Sequence, residues 1–226
     1  MLMSTIETTI NTISRYFVTA GTTNYIGESV SQVEHALQCA YFAEQSGHSE
    51  EVILASLLHD IGHFATTTKQ HTMADLGIVH HEWIGALLAY QLNFSAKVAL
   101  LIGHHVNAKR YLAGKKPHYF ARLSSASQQT LAYQGGAMAS NERLAFEQLP
   151  FFREILQVRV NDEKAKEINL LVPDLEHFNL KIQQHIKGQQ IRTSLNEACL
   201  LTDFVTAQWV EQFKTQLEFE SQLHCV

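Results

Sequence analysis

The chain has 226 residues, 46% of them hydrophobic and 17% charged, with a formal net charge of −5. That apolar share supports one sizeable core and excludes a disordered chain, and the weakly acidic balance, with a pI of about 6.2, excludes the basic footprint of a nucleic-acid binder and any attraction to anionic lipid. No apolar run approaches the ~18 residues that span a bilayer, and the first residues carry no basic stretch leading into an apolar core, so a cytoplasmic protein with no membrane segment is expected.

Helical periodicity runs along the chain. Apolar residues at 30, 33, 36, 37, 40 and 41 mark one face of a helix over 30–44, with Ser29 and Gln32 as its capping box. A second helix over 50–61 opens on Ser49 and two glutamates, turns Val52, Ile53, Leu57 and Leu58 inward, and stops at Gly62. Helices over 81–92 and 95–105 follow, broken at Asn93. The next covers 124–134 and is closed by Gly135-Gly136. Three more are predicted at about 141–148, 162–170 and 174–187, the last opened by Pro173 and Asp174. Nothing alternates like a strand, so the fold class is all-α. From about 190, Leu195, Cys199, Phe204, Val205, Trp209, Phe213 and Leu217 fall at three- and four-residue steps. This marks an amphipathic helical extension over 191–226 beside a domain over 1–190. It is expected to pack back on the domain. Its functional use would be a lid or a homodimer contact through the C-terminal helix. Cys39, Cys199 and Cys225 are odd in number and lack zinc-knuckle or redox spacing, so they read as free thiols of a reducing compartment.

The chain holds 13 histidines, and their positions matter more than their number. His59-Asp60 closes an apolar helix in Leu57-Leu58-His59-Asp60-Ile61-Gly62-His63. A carboxylate there is costly to bury unless paired or metal-bound. Alone, such a pair is more often a cap. It is accompanied by His35 on an apolar helix, by the doublets His80-His81 and His104-His105, and by Asp162. Imidazole and carboxylate together suit zinc, iron or manganese, and the two oxygens of Asp60 allow it to bridge two ions. Adjacent helical residues point about 100° apart, so one member of each doublet would face the site.

The run His35, His59-Asp60, then Asp162 is similar to the HD superfamily, and the two further histidines resemble its two-metal branch. More narrowly, the chain resembles the HD-domain mixed-valent di-iron oxygenases, relatives of myo-inositol oxygenase, over about 25–185. The resemblance rests on Asn24-Tyr25-Ile26-Gly27-Glu28, on Gln32-Val33-Glu34-His35 with Leu58-His59-Asp60-Ile61-Gly62-His63, on His105-Val106-Asn107-Ala108-Lys109-Arg110-Tyr111-Leu112, on Leu131-Ala132-Tyr133-Gln134-Gly135-Gly136 and on Asp162-Glu163-Lys164. It implies an HD-domain helical bundle holding two iron ions, Fe(II)/Fe(III), on His35, His59, Asp60, His81, His105 and Asp162, with Asp60 bridging and His80 and His104 left out. It also implies a substrate pocket. His63, four residues after His59, and Lys109, four after His105, would share their ligands' helix faces. They suit a phosphonate dianion, with Ser127 and Arg159 as further contacts. Glu28 would take a substrate ammonium group, and Tyr25 would occupy the metal centre before substrate arrives. The implied reaction uses dioxygen to cleave the carbon–phosphorus bond of a small 1-hydroxyphosphonate such as 2-amino-1-hydroxyethylphosphonate, giving phosphate and glycine. The competing reading of the same ligands is a metal-dependent phosphohydrolase acting on a phosphate ester or nucleotide.

Overall fold

The computed structural model describes residues 2–20, 29–65, 73 and 76–192. Its contacts divide the chain into one compact unit, Met1–Gln189, and a second, Gln190–Val226. Of the amphipathic extension expected over 191–226, with its dimer contact, residues 193–226 lie outside the described residues, as do Tyr25 and Glu28.

The described residues form helices and no strand, as the patterning predicts. In order they are α1 Leu2–Ala20, α2 Gln32–Gln45, α3 Glu50–Leu58, α4 Gly62–Ala65, α5 His81–Gln91, α6 Ala96–Gly103, α7 His105–Lys115, α8 Tyr119–Arg122, α9 Ser125–Tyr133, α10 Ser140–Phe146, α11 Phe152–Lys164 and α12 Leu175–Arg192. α3 is the axis of the bundle. Every residue from Val52 to Leu58 is buried, as befits a helix apolar all round. It packs against α2, α6 and α11. α12 adds Phe178, Ile182 and Ile186, all fully buried.

The capping chemistry is local and specific. Ser31 Oγ accepts from Glu34 N at 3.1 Å while Ser31 N donates to Glu34 Oε2 at 2.6 Å. The capping box of α2 therefore sits two residues later than Ser29/Gln32. Ser95 and Ser124 cap α6 and α9, and Asp174 Oδ1 accepts from His177 N to start α12. Asn93 takes the left-handed conformation, φ 67°, that ends the α5 segment.

Other expectations are corrected. α1 is a helix the sequence reading missed. Its threonines and asparagine disfavour helix, and tertiary burial of Ile6, Ile13 and Phe17 overrides them. The helix expected over 95–105 is α6, which stops at Gly103, and α7, which begins at His105 after a break at His104 with φ −100° and ψ 3°, was not expected. The helix expected over 162–170 is the tail end of α11, whose buried face carries Arg159, Asn161 and Asp162 beside Ile155 and Val158 and so hides its periodicity. Gly62 does not stop a helix. A Cβ there would lie 2.0 Å from the His81 carbonyl oxygen and 2.8 Å from Gly85 N, so glycine permits α4 and α5 to touch.

Gly62→Ala is therefore expected to push α4 off α5 and destabilise the metal-free protein by about 1–3 kcal/mol, read by urea denaturation. An unchanged midpoint would show that this close approach does not constrain the fold.

Candidate metal centre

Five helices deliver the cluster. His35 lies on α2, His59 and Asp60 just past α3, His81 at the head of α5, His105 at the head of α7 and Asp162 in the last turn of α11. Each of the six is at most 8% exposed. Four ring nitrogens and two carboxylates converge in two groups. In the first, His35 Nε2 lies 3.2 Å from His59 Nε2 and 3.4 Å from Asp162 Oδ1, and His59 Nε2 lies 3.2 Å from Asp60 Oδ2. In the second, His81 Nε2 lies 3.2 Å from His105 Nε2, and the two stand 3.3 and 3.6 Å from Asp60 Oδ1. One oxygen of Asp60 thus serves each group.

The outer nitrogens explain the inner ones. His35 Nδ1 faces Ala165 O at 2.7 Å, His59 Nδ1 faces Ser56 O at 2.8 Å, His81 Nδ1 faces Ile78 O at 3.1 Å, and His105 Nδ1 faces Ile102 O at 2.8 Å. A carbonyl only accepts, so each Nδ1 donates and each Nε2 presents a lone pair. Lone pair meets lone pair at 3.2 Å twice, beside carboxylate oxygens. With neutral rings that donor set fits a metal cation in each group, and without one a proton takes its place. The same demand for positive charge appears in the ionisation. Burial opposes it, but Asp60 and Asp162 push His59 up to about 9. Against the same burial, His59 and His81 hold Asp60 well below the usual carboxylate range, and the Arg159 guanidinium does so for Asp162. Burial, with His59 and His81 alongside, drives His105 down to about 3.

Neighbours that could be mistaken for ligands separate on chemistry. Cys39 Sγ lies 3.6 Å from His35 Nε2. Burial and both aspartates push its thiol well up in the metal-free protein, and its sulfur stands beside His35 and His59. His63 Nδ1 accepts from Ile78 N at 3.1 Å, so its Nε2 carries the proton and donates. His63 is not on a helix continuing from His59, as the four-residue spacing suggests. The chain turns between α3 and α4, and the ring stacks on His81 at 3.9 Å. His80 is a largely exposed N-cap in the left-handed region, φ 62°. His104 is buried but faces Asn107 at 3.1 Å and the Trp83 ring.

One cavity opens on the cluster. Its wall includes Asp60, His81, His105 and Asp162, and also His63, Lys109, Ser127 and Arg159. Lys109 is buried on α7, one turn beyond His105, and its Nζ donates to Thr130 Oγ1 at 2.9 Å. Burial and Arg159 lower it to about 7. Arg159 is more tied than the sequence implies: it pairs with Asp162 through its NH1 and reaches Glu163 at 2.9 Å and the Tyr119 hydroxyl at 3.0 Å through Nε. The sequence reading missed Thr130 and Gln134, which line the same cavity. Gln134 Oε1 is buried and makes no hydrogen bond among the described residues. Ser127, Thr130 and Gln134 fall at three- and four-residue steps along α9, so the face that holds Ser127 was the signal that could have found them.

Comparison with known proteins follows the same line. The HD domain family model matches residues 33–139. The chain is 41% identical over 174 residues, 77% of its own length and 88% of the relative's, to 1-hydroxy-2-(trimethylamino)ethylphosphonate dioxygenase (glycine-betaine-forming) of Leisingera caerulea. It is 40% identical over 163 residues, covering 71% of this chain and 80% of the other, to hydroxymethylphosphonate dioxygenase of Gimesia maris. An uncharacterised protein of Acanthamoeba polyphaga mimivirus is 39% identical over 183 residues, 80% and 84% of the two chains.

Asp60→Asn keeps the shape but removes the charge that both groups share. It is expected to weaken metal binding by at least ~10-fold, measured as metal retained after dialysis, with the apo fold intact by circular dichroism.

Proposed function

Because the chain belongs to the HD-domain phosphonate dioxygenase family and is an HD-domain oxygenase, we propose that it uses dioxygen to cleave the carbon–phosphorus bond of a small 1-hydroxyphosphonate, giving phosphate and a carboxylic acid. The substrate we favour is 2-amino-1-hydroxyethylphosphonate, with glycine as the organic product. The observation that carries this reading is the single cavity in which the histidine–aspartate cluster faces Lys109, His63 and Ser127. Metal ligands and cationic or donor groups lining one cavity suit a ligand with an anionic head and a neighbouring hydroxyl. Both relatives named for an activity are dioxygenases of phosphonates that bear a hydroxyl.

In this reading His35, His59 and Asp162 would hold one iron and His81 and His105 the other, with Asp60 shared between them, as a mixed-valent Fe(II)/Fe(III) pair. When bound, the irons supply the dioxygen chemistry that no side chain provides. The protein's own groups do the rest. Lys109 and the Nε2–H of His63 neutralise and orient the phosphonate, with Ser127 and Arg159 at its margin. Thr130 holds the Lys109 ammonium in place. Asp162 is oriented by Arg159. Glu28 takes the ammonium group of the substrate and Tyr25 gates the centre, both assigned from sequence resemblance.

The test is phosphate and glycine release by anaerobically prepared, iron-loaded protein given (R)-2-amino-1-hydroxyethylphosphonate with and without oxygen, beside the trimethylammonium and hydroxymethyl analogues. Oxygen-dependent release is expected, with preference for the primary amine and loss of that preference in Glu28→Gln. Oxygen-independent hydrolysis of phosphate esters by a manganese-loaded form, with no phosphonate cleavage, would overturn it.

Lys109 gives a pH signature. Its charged form is the one that binds a dianion, and burial lowers it to about 7 in the metal-free protein. Apparent KM for phosphonate should therefore rise as pH increases through about 7, and Lys109→Met should raise KM by at least ~10-fold and flatten that limb. A limb that persists in the variant would assign it to another group.

A further inference from the structure

Glu82 is used by nothing described so far. It lies in the first turn of α5, one residue after His81, and is 5% exposed. Its Oε2 is buried and makes no hydrogen bond among the described residues. A carboxylate oxygen left in that state costs free energy unless a nearby cation repays it. The nearest positive partner on the surface is weak: Oε1 stands 3.7 Å from Nδ1 of His80, whose side chain is 71% exposed. The inner partner is more telling, because Oε2 stands 3.5 Å from His81 Nδ1, the nitrogen that donates to Ile78 O. In His35, His59 and His105 the Nδ1 partner is a neutral carbonyl.

The two groups of the cluster also hold unequal numbers of carboxylates. The first has Asp162, itself paired with Arg159, and one oxygen of Asp60, and the second has only the other oxygen of Asp60. Glu82 is a further carboxylate beside the second, 3.5 Å from the outer nitrogen of His81. A carboxylate beyond a ligating histidine raises the basicity of its inner nitrogen, here by its charge at 3.5 Å, since the Nδ1 proton is donated to Ile78 O.

We propose that Glu82 is a positioning residue of the second metal site, acting through His81 to tighten the ion held by His81 and His105 and leaving the ion held by His35 and His59 unaffected. This rests on the two-metal reading above. It adds an outer carboxylate to one half of the centre and so makes the two halves inequivalent by design of the surrounding protein as well as by the count of aspartates.

The experiment titrates apo protein with Fe(II) under argon by calorimetry, for wild type, E82Q, E82D, H81A and H80A, with mixed-valent samples examined by electron paramagnetic resonance. H81A marks which binding event belongs to the second site. E82Q, which keeps shape and loses charge, is expected to weaken that event on the order of 10-fold, to leave the other within experimental error, and to shift the mixed-valent signal. E82D should fall between E82Q and wild type, and H80A should bind as wild type does. Two wild-type affinities in E82Q would overturn the proposal, as would equal weakening of both events or an H80A that reproduces E82Q. Should E82Q fail to fold, E82D decides alone: selective weakening of the second event supports the assignment and unchanged binding overturns it. Wild-type protein that takes up fewer than two ions would instead remove the two-metal reading, and this inference with it.

Discussion

Asp60 places one oxygen 3.2 Å from His59 Nε2 and the other 3.3 Å from His81 Nε2, and the arrangement of the bundle follows from that shared carboxylate. A residue that must serve two groups at once cannot sit on a helix flank, where one face is available. It sits instead in the turn after α3, a helix buried from Val52 to Leu58, with α2 and α11 bringing one group and α5 and α7 the other. The cost of burying its charge is offset by four imidazoles and by whatever cations they hold, which is why the apolar core can surround it.

Helix ends do the orienting. The last-turn carbonyls of a helix lack intrahelical donors, and two of the four outer partners, Ser56 O and Ile102 O, come from the last turns of α3 and α6. Ile78 O comes from the chain just before α5 and Ala165 O from the residue that caps α11. Groups that would otherwise need water are spent on fixing the tautomer and aim of each ring. The break at His104 acquires a physical reason here. Were α6 to run on through 105, the Ile102 carbonyl would be committed to the helix and His105 would not head a new helix that carries Lys109 into the cavity.

The fold class and the chemistry-bearing residue types were legible because apolar spacing and metal coordination both constrain sequence strongly. His35, His59, Asp60, His81, His105 and Asp162 are residues whose burial demands a partner, so their presence in an apolar chain is itself a signal. The helix breaks were less legible. Neither His104 nor Phe151 carries a side-chain cap, so nothing in the sequence marks the starts of α7 and α11. α11 was misplaced because charged residues occupy its buried face, which a hydrophobic pattern reads as outside. Thr130 and Gln134 were missed for a different reason: neutral polar residues on a short helix look the same in a cavity as on a surface. Glu82 gives no signal of its own in the sequence, because an acidic residue in the first turn of a helix is common without any metal nearby.

The cavity donors are not distributed evenly over the two groups, and the backbone explains it. Lys109 rises from the helix that His105 heads, and His63 stacks on His81 because Gly62 lets α4 lie against α5. Both are built onto the elements of the second group. Arg159 belongs to the first, where its guanidinium is committed to Asp162 and Glu163. Arg159 offsets Asp162 in the first group, so the two halves differ less in net charge than in the elements that carry the cavity donors. The second group owes His63 to the packing of α4 on α5 and Lys109 to the start of α7 at His105, whereas Arg159 reaches the same cavity from α11, one turn before Asp162.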